Sequence, residues 1–152
     1  FRSNSVTRRH LTRCKLTGQP RPLEEMPLPW IKAILQHEDM GYLERVQAYL
    51  HEHWTGAYEV TFSNHTLLEM TAQGANKGTS VLWLADYLGV ARDHIYCIGN
   101  GINDIPMLEV SAVPFAPANC YKEVRAAAQE ILTSCDESCI ARLIEQLEER
   151  YR

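Results

Sequence analysis

Apolar residues follow one rhythm up to Gln73-Gly74 and another after it. On the amino-terminal side, Trp30 to Leu35 reads as a strand. Met40 to Trp54 reads as an amphipathic helix, because Leu43, Val46, Leu50 and Trp54 recur at three- and four-residue spacing. Tyr58 to Phe62 alternates, Ser63-Asn64-His65 has turn chemistry, and Thr66 to Thr71 reads as a second strand, so the pattern predicts a hairpin. From Lys77 onward the pattern is helix, strand, helix, strand. Val81, Leu84, Ala85 and Leu88 form a helical stripe stopped by Gly89. Ile95 to Ile98 is a short apolar strand of the kind covered on both faces. Then follow a helix from Ile105 to Val110, a strand Ala112 to Ala116, a helix around Tyr121 to Ala128, and a strand Ile131 to Thr133. A last helix carries Ile140, Leu143, Ile144 and Leu147 as its buried stripe. Repeated units of this kind imply an α/β fold with a parallel sheet.

The ends of the pattern divide the chain into three. Thr17 to Pro29 holds Gly18, Pro20, Pro22, Pro27 and Pro29, which argues against a regular element there. The first 22 residues carry six basic side chains (Arg2, Arg8, Arg9, Arg13, Lys15, Arg21) and no acid. With +6 there and −4 overall, the rest of the chain carries about −10. Residues 1–22 are therefore read as a poorly ordered basic leader, 23–73 as a small α+β piece, and 74–152 as the parallel part. The leader has no aromatic interleaving after Phe1 and no recognition motif, so nucleic acid is not the expected partner.

Hydrophobic content of 45% and charge of 22% are those of a globular protein. No apolar run approaches the ~20 residues of a membrane helix, so no membrane partner is expected. The five cysteines (Cys14, Cys97, Cys120, Cys135, Cys139) are odd in number and lack zinc-ribbon spacing. Reduced thiols and a cytoplasmic location follow as the expectation, with Cys135 and Cys139 able to meet on one helix face.

The candidate chemistry lies at Gly99-Asn100-Gly101-Ile102-Asn103-Asp104, a turn after a strand and before a helix. In α/β sheets that is where ligands bind. Gly99 and Gly101 let backbone approach a ligand and can take positive φ. Lys77 stands in a first helical turn, where its charge opposes the helix dipole at a cost of a few tenths of a kcal/mol. Asn103 and Asp104 equally suit capping of the helix at Ile105, Asn119 suits capping of the next helix, and Ser63 suits the hairpin turn.

Asn76-Lys77-Gly78 and the block Gly99 to Leu108 resemble the Cof-type phosphatases of the haloacid dehalogenase superfamily. That family shows a Lys-Gly helix start and Gly-Asp-x-x-Asn-Asp-(apolar)-x-Met-Leu. Ala116 to Asn119 with Glu123-Val124 resembles the stretch beyond, and Trp30 to Thr71 is similar to the second half of the family's cap. The resemblance spans about four fifths of the chain. It implies the carboxyl-terminal half of a Rossmann-like core with a parallel sheet, carrying part of an α+β cap. It implies Lys77 as the catalytic cation, Asn100 and Asp104 at a magnesium ion, Gly99, Gly101, Asn103 and Asn119 around the phosphate, and Ser63 facing substrate from the cap. The implied reaction is magnesium-dependent hydrolysis of a small phosphorylated metabolite such as a sugar phosphate through an aspartyl-phosphate.

Two departures limit that expectation. The family's Asp-x-Asp-Gly nucleophile motif has no counterpart: Asp39, Asp86, Asp93 and Asp136 follow no apolar strand with a glycine beyond. Asn100 replaces a magnesium-ligating aspartate, which keeps an oxygen and loses a charge, so weaker magnesium binding is expected. The chain is accordingly read as a truncated or divergent hydrolase, inactive by itself. The alternative is a pseudoenzyme or a module that binds a phosphorylated metabolite or a partner. Without the nucleophile strand, the strand at Ile95 to Ile98 has an open edge, which calls for a missing amino-terminal half or for self-association.

Overall fold

The computed structural model describes residues 4–19 and 21–152; Arg2 of the basic leader and Pro20 of the proline-rich stretch lie outside the described residues. The chain divides into two units at Gln73/Gly74.

The amino-terminal unit contains α1 (Ser5–Arg13), β1 (Lys32–Gln36), α2 (Met40–His53), β2 (Tyr58–Asn64) and β3 (Leu67–Ala72). Its sheet is antiparallel in the order β1-β3-β2. On β2, Val60 and Phe62 are buried while Thr61 is half-exposed, as period-two alternation requires. Leu43 of α2 and Leu68 of β3 are fully buried in the same unit.

Three sequence expectations change here. In place of a poorly ordered leader, residues 5–13 form α1. The reason is local and tertiary together: Asn4 Oδ1 accepts the Thr7 N–H at 2.9 Å, its Nδ2 donates to Gln36 O at 2.7 Å, and Val6 and Thr7 are buried. Arg9 pairs with Glu38 at 3.3 Å, so part of the basic charge is answered within the unit. Trp30 and Ile31 fall outside β1, which starts at Lys32 opposite Thr71. The hairpin turn sits at His65 and Thr66 rather than from Ser63 to His65. Asn64 Oδ1 accepts the Thr66 N–H at 2.8 Å and closes it, and a bulge between Phe62 and Asn64 takes up Ser63.

The second unit contains α3 (Lys77–Leu88), β4 (Tyr96–Ile98), α4 (Ile105–Glu109), β5 (Val113–Pro117), α5 (Lys122–Ala127), β6 (Glu130–Leu132) and α6 (Cys139–Arg150). The sheet is parallel in the order β4-β5-β6, with Ile98 opposite Phe115 and Ala116 opposite Ile131. Alternate residues of β4 and β5 face opposite layers. Cys97 and Ala116 pack with Ala85, Leu108 and Val124 from α3, α4 and α5. Tyr96, Ile98, Val113 and Phe115 pack with Leu143 and Leu147 of α6. The helices thus cover both faces of the sheet, as parallel strands need. Gly89 ends α3 at φ 68°, as its place after the stripe predicts.

The two apolar stripes are only half used. Val81 and Ala85 pack, yet Leu84 and Leu88 are 48% and 62% exposed. Leu143 and Leu147 pack, yet Ile140 and Ile144 are 52% and 53% exposed. The stripes of α3 and α6 are wider than a three-stranded sheet can cover, and among the described residues β4 is an edge strand with its far side unpaired in the sheet.

Ser138, just before α6, holds φ 59° and ψ 43°, a left-handed conformation that disfavours any side chain. Ser138→Gly is expected to stabilise the protein by about 0.5–1 kcal/mol, the relieved strain exceeding the added freedom of the unfolded chain. Urea midpoints measure it; a midpoint that stays put or falls would show that Ser138 is not strained.

Candidate functional site

Three segments of the second unit converge at the carboxyl end of β4. The first is the start of α3. Asn76 Oδ1 accepts the Thr79 N–H at 3.0 Å, and Thr79 Oγ1 accepts the Asn76 N–H at 3.3 Å, a reciprocal cap that begins the helix at Lys77. Gly78 then lets α3 touch α4: a Cβ there would stand 2.2 Å from the Pro106 carbonyl oxygen. Because this contact fixes the helix start, the Lys77 Nζ reaches Asp104 Oδ1 and bonds to it.

The second segment is the turn from Gly99 to Asp104. Asp104 Oδ2 accepts the amides of Asn100 and Gly101, both at 2.9 Å. Only 6% of Asp104 is exposed. Burial by itself would raise this carboxyl. The Lys77 hydrogen bond, the Gly101 amide, the Lys77 charge and the Asn100 amide together outweigh burial, and hold it below the ordinary carboxylate value. Asp104 therefore does not cap the helix at Ile105, as its position suggested; its side chain turns back onto the preceding loop.

Gly99 is needed for room rather than for positive φ, whereas Gly101 has only the end of the Asn103 side chain close by. Gly101 has φ −107°, and the glycines with positive φ are Gly56, Gly74 and Gly89. A Cβ on Gly99 would stand 2.4 Å from Asp104 Cβ, and one on Gly101 2.8 Å from Asn103 Oδ1. Asn103 is half-buried on this turn. Asn100 is exposed, and its carbonyl accepts the Tyr121 N–H at 3.1 Å.

The third segment lies past β5. Asn119 does not cap α5; its Oδ1 accepts the Cys135 N–H at 3.1 Å and ties this loop to the turn before α6. A cavity of about 370 Å³ opens here, lined among others by Ile98, Gly99, Asn100, Cys135, Cys139 and Ile140. Lys77, Asn100, Asn103 and Asp104 are thus brought to one strand end, with Asn119 joined to its neighbourhood. Ser63 belongs to the other unit, where its Oγ is buried without a hydrogen-bond partner among the described residues.

The apolar rhythm gives no hint of the Gly78–Pro106 contact, which joins residues distant in sequence. The Asn76 cap was readable in principle, since Asn is a favoured residue just ahead of a helix. The pairing of Asp104 with Lys77 rather than with its own helix was not.

The donor set bears directly on magnesium. Both Asp104 oxygens are engaged, and Asn100 offers one neutral oxygen. Among the described residues no group of three or more His, Cys, Asp or Glu is placed to hold a metal ion. Magnesium takes near-octahedral oxygen coordination and favours carboxylates, so these residues by themselves do not make a magnesium site. Nor is any helix among the described residues long and apolar enough to cross a membrane.

The parallel α/β sheet places the Lys77–Asp104 link at a strand's carboxyl end, where such sheets bind ligands. Residues 18–144 match the haloacid dehalogenase-like hydrolases, and the chain belongs to that family. It is 32% identical over 106 residues to the chloroplastic endoribonuclease YBEY of Arabidopsis thaliana, covering 67% of this chain and 18% of that protein. It is 31% identical over 109 residues to the 5-amino-6-(5-phospho-D-ribitylamino)uracil phosphatase YwtE of Bacillus subtilis, covering 72% of this chain and 37% of that one. A haloacid dehalogenase-like hydrolase from Bacteroides thetaiotaomicron superposes with a TM-score of 0.74 at 27% identity, covering 95% of this chain and 55% of that structure. The chain thus spans a fifth to about half the length of these relatives.

Proposed function

We propose that this chain supplies the lysine-bearing half of a phosphomonoesterase site acting on a small phosphorylated metabolite. The observation that carries the reading is the Lys77–Asp104 link at the end of β4. Asp104 holds the Lys77 ammonium and the amides of Asn100 and Gly101 together, so a fixed positive charge stands where an incoming phosphoryl group needs one. The phosphatase named among the relatives acts on a phosphorylated ribityl compound, which is the substrate class favoured here.

The nucleophilic carboxylate, the acid that protonates the leaving group and the charged ligands for magnesium come from outside these 152 residues. The open edge of β4, with Leu84, Leu88, Ile140 and Ile144 exposed on the helices above and below the sheet, suits a further parallel strand and its cover. A second copy of this chain is the other occupant such an edge admits. A metabolite-binding role without turnover is favoured by Asn100, the neutral residue at the metal position, and we place the whole in the cytoplasm.

The test is co-expression with the amino-terminal half of a family relative that carries the Asp-x-Asp strand. The expected result is a co-eluting complex that releases phosphate from sugar phosphates in magnesium and loses that activity in Lys77→Ala. A complex that forms yet stays inactive against the whole panel would sink the catalytic reading and leave the binding one. In the same complex, Asn100→Asp is expected to tighten magnesium binding by restoring one carboxylate. Titration calorimetry reads it; unchanged affinity would remove Asn100 from the metal position.

A further inference from the structure

The wall of the cavity beside Asn100 contains a feature that the phosphatase reading does not use. Cys135 lies on the short turn Cys135–Glu137 and is exposed, whereas Cys139 opens α6 and is 3% exposed. Between them Ser138 takes its left-handed conformation, so the chain reverses before the helix begins and both cysteines are brought to the wall of one cavity. Asn119 Oδ1 holds the Cys135 N–H from the other side and fixes the backbone of the turn. Both cysteines line the 370 Å³ cavity, together with Ile98, Gly99 and Asn100.

We propose that Cys135 and Cys139 are a redox modification site, a dithiol that a low-molecular-weight disulfide converts to an intrachain disulfide in the wall of this cavity. The assignment of roles follows from exposure. Cys135, the accessible sulfur, attacks one sulfur of the small disulfide as its thiolate. The S–S bond of the reagent breaks, a Cys135 mixed disulfide forms, and one small thiol leaves with a proton. Cys139, four residues on in the same cavity wall and shielded from the reagent, then attacks the Cys135 sulfur as thiolate and expels the second small thiol. Two protein thiols are oxidised to one disulfide, and one small disulfide is reduced to two thiols. Desolvation and the neighbouring thiol push Cys135 above its ordinary value, so the first step quickens as pH rises. Only three residues separate the two sulfurs, so the bridge closes a small ring and adds little stability by loop closure. Its effect is confined to the turn and the cavity wall.

The other thiols sharpen the contrast. Cys14 is exposed and has no cysteine partner in the structure, so it stops at the mixed disulfide; Cys97 is buried in the core with Ala85 and Leu108. Incubation of the whole chain with oxidised glutathione at pH 8, followed by acid quench, tryptic digestion and mass spectrometry, is the test. Residues 126–142 contain both cysteines and no internal tryptic site. The expected product is that peptide, lighter by two hydrogens and free of glutathione, while Cys14 carries an adduct. In Cys139→Ser the same peptide is expected to carry one glutathione on Cys135, trapped because the resolving thiol is gone. A wild-type peptide that remains a dithiol while Cys14 reacts, or that ends with glutathione on Cys135, overturns the proposal. Neither result depends on phosphate release, so the outcome is independent of the hydrolase reading.

Discussion

Alone, the 152-residue chain is expected to release no phosphate from sugar phosphates or from a chromogenic phosphate ester, with magnesium present. Phosphoryl transfer of this kind needs a carboxylate in line with the phosphorus, a second acid for the leaving group, and cationic charge to offset the transferred oxygens. The chain holds five aspartates. Asp104 is committed on both oxygens to Lys77, Asn100 and Gly101. Asp86 is paired with Arg92 at 2.9 Å, and Asp136 sits in the turn closed by Ser134. Asp39 precedes α2, in the other unit, and Asp93 lies in the connection ahead of β4. Of the aspartates in the second unit, Asp104 alone stands at the strand end beside Lys77, and its oxygens are taken. A charged pocket without a nucleophile retains a small residual rate enhancement over water, far below the ~1–10³ per second of ordinary enzymes. Turnover near ~1 per second that disappears in Lys77→Ala would reverse this conclusion and point to a nucleophile among the remaining side chains.

Asp104→Asn is expected to cost about 1–3 kcal/mol of stability near neutral pH, the range for removing the partner of buried donors. The amide keeps one acceptor but turns a donor toward either the Lys77 ammonium or the Asn100 and Gly101 amides, so one side of the arrangement is broken. Lys77 is half-exposed and regains water, so the loss resides mainly in the two backbone amides. The pH dependence has a definite sign. The folded carboxyl is held below its ordinary value, so the stability it contributes is present above the ordinary carboxylate pKa of about 3.9 and is lost as pH falls through the lower, folded value. Urea midpoints of wild type and Asp104→Asn should therefore differ at pH 7 and converge in acid below about pH 4. A gap that is constant from pH 7 to pH 3, or absent at pH 7, would mean that the Asp104 charge does not hold the turn.

The linear pattern determined much of this protein. The helix stripes, the short apolar strands and the stop at Gly89 were legible because period and composition are local properties of a few consecutive residues. So was the block from Gly99 to Leu108, since its residue types at that spacing are rare outside one family of folds. Tertiary structure alone decided what those residues do. Asp104 could cap its helix or turn back on Lys77, and the choice depends on α3 lying against Pro106, a contact that exists only because Gly78 lacks a Cβ. Residues 5–13 look like a charged leader until Asn4 meets the Gln36 carbonyl. Leu84, Leu88, Ile140 and Ile144 read as core, and their exposure depends on how many strands lie beneath the helices. Periodicity reports which side of a helix is apolar; whether that side is covered depends on neighbours far along the chain or outside it, and no local pattern encodes them.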